Sequence, residues 1–112
     1  MIIAVDFDGV LTPNGHWPEV GEPNTKLFEW LKFYRELGGK LILWTNRTGA
    51  ALENAVAFCK EQGLEFDTVN KNLPEIMERF NDDGPKVTAD LYIDDKAAHV
   101  EFRRPLKNIL FF

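Results

Sequence analysis

The apolar run Ile2-Ile3-Ala4-Val5 breaks off abruptly at Asp6, and this constrains the fold more than any other feature of the sequence. Alone it fits a strand or a helical fragment, but its brevity and β-branched content predict a strand buried on both faces. A strand of that kind needs helices above and below it, and the following residues supply candidates. Residues 24–37 carry Leu27, Phe28, Leu31, Tyr34 and Leu37 at three- to four-residue spacing, an apolar stripe that leaves Lys32, Arg35 and Glu36 for water. Gly38-Gly39 stops that helix, because glycine takes the left-handed cap position.

The same alternation continues along the chain. Leu41-Ile42-Leu43-Trp44 predicts a second buried strand, and residues 50–62 a second helix packed through Leu52, Val56 and Cys59. Residues 66–69 predict a short third strand. Residues 73–80 predict a helix with Pro74 in its first turn, where the missing donor costs nothing. Residues 89–93 form another strand-like run, followed by a helical turn at 97–100 and a terminal strand at 109–112 packed against the sheet. The connections are too long for hairpins, and right-handed crossovers then predict an α/β domain with a three-layer, doubly wound, mostly parallel sheet. At 112 residues the expectation is a single domain, 1–112, with residues 9–23 as a loop or flap punctuated by Pro13, Pro18, Gly21 and Pro23.

No stretch reaches 18 apolar residues, so no membrane span is expected. The amino-terminal residues do not read as a signal peptide. Cys59 is the single cysteine, which excludes an internal disulfide and makes a cytoplasmic location the expectation. With 18 acids against 13 Lys and Arg the net charge is −5, which argues against a nucleic-acid partner. It does not argue against a phosphorylated substrate, since a divalent cation dominates its local field.

The acids are the functional signal. Asp6 and Asp8 leave the first strand one residue apart, so they point the same way while Phe7 points into packing. Like charges so close are costly unless something positive lies between them. Asp94-Asp95 repeats the situation at another strand exit, and open parallel sheets bind ligands at their carboxyl edge. Hard oxygen ligands without an accompanying Cys and His set favour Mg²⁺ over zinc. Asp90 begins its strand and is expected at the far end.

Asp6-Phe7-Asp8-Gly9-Val10-Leu11, then Leu43-Trp44-Thr45-Asn46, then Tyr92-Ile93-Asp94-Asp95 resemble the haloacid dehalogenase (HAD) superfamily of aspartate-nucleophile phosphohydrolases. The resemblance spans residues 2–95. It implies a HAD-like Rossmannoid domain and a Mg²⁺-dependent phosphomonoester hydrolase working through an aspartyl-phosphate. Asp6 would be nucleophile and metal ligand. Asp8 would be the acid/base, with its backbone carbonyl on the metal. Asp94 and Asp95 would complete the Mg²⁺ site, with Asp94 the first choice for direct contact. Thr45 would bind a phosphate oxygen, helped by Asn46 and by backbone N–H groups near Phe7 and Asn46. Lys86 is the better match to the family's phosphate-binding lysine, and Lys71 is its competitor.

Arg47, His16, Trp17 and Lys71 are candidate substrate contacts; Arg47 is equally balanced between that role and pairing with acids. Only 15 residues, 9–23, occupy the place where related phosphatases insert a cap, so the chain resembles a member without a large cap. An open site would admit a phosphorylated small molecule or a macromolecular phosphosubstrate, or would be covered by another subunit of a homo-oligomer. Two other readings use the same acids: a receiver-like phosphate-sensing module, and a catalytically inactive metal- or phosphate-binding protein.

Overall fold

The computed structural model describes residues 1–80, 84–96, 102–103 and 110–111. Its elements follow the order β1 (Ile2–Val5), α1 (Thr25–Glu36), β2 (Lys40–Leu43), α2 (Gly49–Glu61), β3 (Thr68–Val69), α3 (Pro74–Phe80), β4 (Leu91–Ile93), β5 (Phe102–Arg103) and β6 (Leu110–Phe111). The first four strands form one parallel sheet in the order β3-β2-β1-β4. The chain is therefore an α/β protein with a four-stranded, all-parallel sheet. No helix among the described residues is long and apolar enough to cross a membrane.

The alternation of side chains along β1 and β2 divides the core. Ile3 and Val5 of β1 and Leu41 and Leu43 of β2 pack with Phe28 and Leu31 of α1 and with Ala55 and Cys59 of α2. Ala4 and Ile42 pack instead with Leu73, Ile76 of α3 and Val87. This is why the opening run is apolar at every position.

Local chemistry sets the element ends. Asn24 caps α1 by accepting the Leu27 N–H at 3.3 Å, and Gly38, at φ +94°, closes it. Two strands are shorter than expected for one shared reason. Asp67 takes the Leu41 N–H on its own carboxylate at 2.8 Å, and Asp90 takes the Ile2 N–H at 2.6 Å, so side chains replace ladder partners at the amino-terminal edge. β3 thus begins at Thr68 and β4 at Leu91. Asp90 lies at the far end of its strand, as expected.

The terminal strand is a correction. Leu110–Phe111 pairs antiparallel with Phe102–Arg103 in a separate two-stranded sheet and adds no rung to the parallel one. A pairing between two two-residue segments leaves no periodicity to read. The helical turn expected at 97–100 lies outside the described residues.

Residues 9–23 are bound to the body at both ends. Phe7 O accepts the N–H groups of Val10, Leu11 and Thr12, and Asn24 donates to Leu11 O from its backbone and to Val10 O from its side chain. Val10, Leu11 and Thr12 are buried, so the first part of this loop belongs to the core. The second part is pinned across itself: Thr12 Oγ1 accepts from Gly21 N at 2.9 Å and Asn14 Oδ1 from Glu22 N at 2.9 Å.

Candidate functional site

β1 and β4 lie side by side, so their carboxyl ends deliver Asp6 and the Asp94-Asp95 pair to one edge. The Asp6 N–H continues the ladder by one bond, to Ile93 O at 2.9 Å. From β1 the chain moves outward through β2 to β3, then returns to the other side of β1 at β4. The crevice between β1 and β4 is therefore where strand order reverses, the place where open α/β sheets bind ligands.

An open cleft of about 280 Å³ occupies this edge, lined by Asp6, Asp8, Trp44, Thr45, Asn46, Asp94, Asp95 and Lys96. Asp6, Asp94 and Asp95 each offer a carboxylate oxygen within 4.8 Å of the others. Burial pushes the Asp6 carboxyl up to about 6; the charges of Asp94, Asp95 and Asp8 add to the rise, and the Phe7 N–H on Asp6 Oδ1, at 2.8 Å, opposes it. Three hard oxygen donors this close together could hold a divalent cation of the Mg²⁺ type. Gly9 makes room for one of them. It sits at φ +83°, and a Cβ there would fall 2.2 Å from Asp95 Oδ2.

Asp8 is not one of the three clustered carboxylates, Asp6, Asp94 and Asp95. Its side chain lines the cleft, but both oxygens are held by Arg47: Nε donates to Oδ2 at 2.9 Å and a terminal nitrogen to Oδ1 at 2.7 Å. Arg47 is itself 1% exposed, with its guanidinium 4.9 Å from the Phe7 ring centroid. Its remaining N–H groups donate to the carbonyls of Pro18 at 2.9 Å, Glu19 at 2.8 Å and Ala51 at 3.3 Å. All five donors are thus engaged, and of the two roles weighed for Arg47 the structure shows the pairing with an acid.

Thr45 and Asn46 line the cleft as expected. Thr45 is held by Asn70, which ends β3 at φ +55° and accepts the Thr45 N–H on its side chain at 2.8 Å. Thr45 Oγ1 accepts the Arg47 N–H at 3.2 Å. The Phe7 N–H, expected to assist a phosphate, is spent on Asp6. Lys71 and Lys86 are exposed and do not line the cleft. Lys86 Nζ stands 5.3 Å over the Tyr92 ring, which in turn packs against Trp44 at 5.3 Å between centroids, so Lys86 adjoins the cleft wall at one remove. Trp17 is 66% exposed and flanks Asp8 from a neighbouring cleft with Asn46, Arg47 and Thr48. His16 is exposed and lies outside both clefts.

Sequence reasoning missed Lys96, Trp44 and Asn70 at this site. Lys96 directly follows Asp94-Asp95, and Trp44 directly precedes Thr45, so adjacency to the motifs was their available signal. Asn70 had none, because it acts from a different strand end.

Fold and cleft together define the class: an α/β protein with a four-stranded parallel sheet and an acidic cleft where its strand order reverses. The sequence matches no protein-family model and no curated protein. It is similar to a conserved protein of solved structure from Bacteroides thetaiotaomicron, with 40% identity over 87% of this chain and 77% of that one, and a TM-score of 0.75. The chain belongs to the family of that conserved protein.

Proposed function

We propose that the chain is a HAD-like, Mg²⁺-dependent phosphomonoester hydrolase with a doubly wound, three-layer domain and an uncapped site. The observation that carries this reading is the convergence of Asp6, Asp94 and Asp95 within 4.8 Å, with Asp8 and Thr45 lining the same cleft. The placement of α1 and α2 core residues against one set of strand side chains, and of α3 residues against the other, supports the layered arrangement.

In this mechanism an oxygen of Asp6 attacks phosphorus as the bond to the leaving oxygen breaks, and Asp8 gives that oxygen a proton. Water then attacks phosphorus, Asp8 takes its proton, and the Asp6–phosphoryl bond breaks to release inorganic phosphate. Asp6, Asp94 and Asp95 would hold Mg²⁺, which when bound supplies positive charge for the phosphoryl oxygens. The Arg47 fork uses two of the roughly four acceptor positions of the Asp8 carboxylate, and the others remain for proton transfer. Thr45 Oγ donates to a phosphoryl oxygen. Lys96 in the cleft wall and Lys86 from its seat on Tyr92 provide cations for the phosphate.

Phosphate release from a diverse phosphomonoester panel, with and without Mg²⁺, tests the reading. Turnover should require Mg²⁺ and should disappear in a folded Asp6→Asn variant. Wild-type rates in that variant would remove Asp6 as nucleophile, while Mg²⁺ binding without turnover across the panel would favour a binding module.

A further inference from the structure

We infer that Arg47 is a positioning residue that joins the orientation of the Asp8 carboxylate to the seating of the 9–23 loop; this rests on the phosphohydrolase reading for its catalytic consequence. A guanidinium is a rigid planar fork, so donors aimed at different partners constrain those partners relative to one another. Here two donors fix both Asp8 oxygens, two reach the carbonyls of Pro18 and Glu19 in the loop, and one reaches Ala51 in α2. The loop and the cleft carboxylate therefore share one fixed reference on the first turn of α2.

The environment enforces this. Arg47 is among the most fully buried side chains, with the Phe7 ring against its guanidinium. A buried arginine that kept only part of this set would leave charge or carbonyls unpaired, so the contacts are held or lost together. The Asp8 side chain is 35% exposed and lines the cleft, so its carboxylate stays accessible for proton transfer. Loosening of the loop would turn the guanidinium and with it Asp8, and a misplacement of about 1 Å in a reacting group costs on the order of 100-fold in rate.

The test uses Arg47→Lys, Asp8→Asn and the double variant, all in the full chain. An ammonium cannot reproduce the fork. Arg47→Lys is expected to lower kcat about 100-fold with KM within about threefold. The double variant should be no slower than Asp8→Asn, since Arg47 acts through Asp8. Wild-type kcat in folded Arg47→Lys, or losses that multiply in the double variant, would overturn the inference.

Amide exchange of loop residues Glu19, Gly21 and Glu22 supplies a readout independent of turnover. It should accelerate at least tenfold in Asp8→Asn as well as in Arg47→Lys, and unchanged exchange in Asp8→Asn overturns the coupling even if the lysine variant does not fold. If the wild type turns over no phosphomonoester, the hydrolase reading fails alone, and the exchange result still decides whether Arg47 links the loop to Asp8.

Discussion

Gly9 shows how tightly single residues are specified at this edge. Its φ of +83° is open to glycine and strained for any other L-residue, by about 1–2 kcal/mol. The absent side chain matters as much, because Asp95 Oδ2 occupies the space a Cβ would take. Gly9→Ala therefore combines backbone strain with displacement of a carboxylate from the cluster. We expect a fall in unfolding free energy of about 1–2 kcal/mol by urea titration and a loss of Mg²⁺ affinity on the order of tenfold by calorimetry. A variant that loses stability but keeps wild-type Mg²⁺ affinity would show that Asp95 is not a ligand. Cys59 is the contrasting case: burial pushes its thiol up to about 12, and its place among Phe28, Leu31 and Ala55 makes it packing.

Among the elements, Asn24 does two jobs, capping α1 through Oδ1 and tying Val10 O through Nδ2. Asn24→Ala removes both and should cost about 1–2 kcal/mol. Asn24→Asp retains the cap acceptor and loses the amide donor, so its urea midpoint should fall between the two. Equal midpoints for the alanine and aspartate variants would mean that the helix cap contributes nothing. The helices were legible because each carries an apolar period and a stop, and β1 and β2 because unbroken apolar runs of four require burial on both faces. Asp6 at the end of β1 was legible for the same reason, since a buried strand fixes where the next residue emerges. β4 is only partly buried, with Leu91 exposed, and its acids were legible from their place after a short apolar run. Other features depended on contacts that leave no local pattern. Asp67 and Asp90 shorten strands by side-chain bonds to a neighbouring strand, and Arg47 sits in the polar stretch Thr45-Asn46-Arg47, which has the composition of a surface turn. Its burial follows from Asp8, 39 residues earlier, and from loop carbonyls that any sequence would possess.

For the whole molecule, the proposed Mg²⁺ site would link stability and metal binding through protons. The Asp6 carboxyl is raised from 3.8 to about 6 in the folded protein, chiefly by burial. The folded state thus binds more protons than the unfolded chain between those values. Its contribution to stability is full below pH 3.8 and is lost as pH rises through about 6. Without metal, Asp6→Asn should flatten this part of the stability profile and stabilise the protein at pH 7 relative to wild type, because a neutral amide carries no desolvated charge. Mg²⁺ held by Asp6, as proposed, would reverse the balance: it needs the carboxylate, so binding would displace the proton, and affinity should rise with pH up to about 6 and then level. Thermal unfolding at pH 5 and pH 7, with Mg²⁺ or with a chelator, measures all of this in one series. The Mg²⁺-induced rise in Tm should be larger at pH 7 and absent in Asp6→Asn. A Tm increment equal at both pH values, or retained in the variant, would place the cation away from Asp6 and would separate the acidic cleft from metal binding altogether.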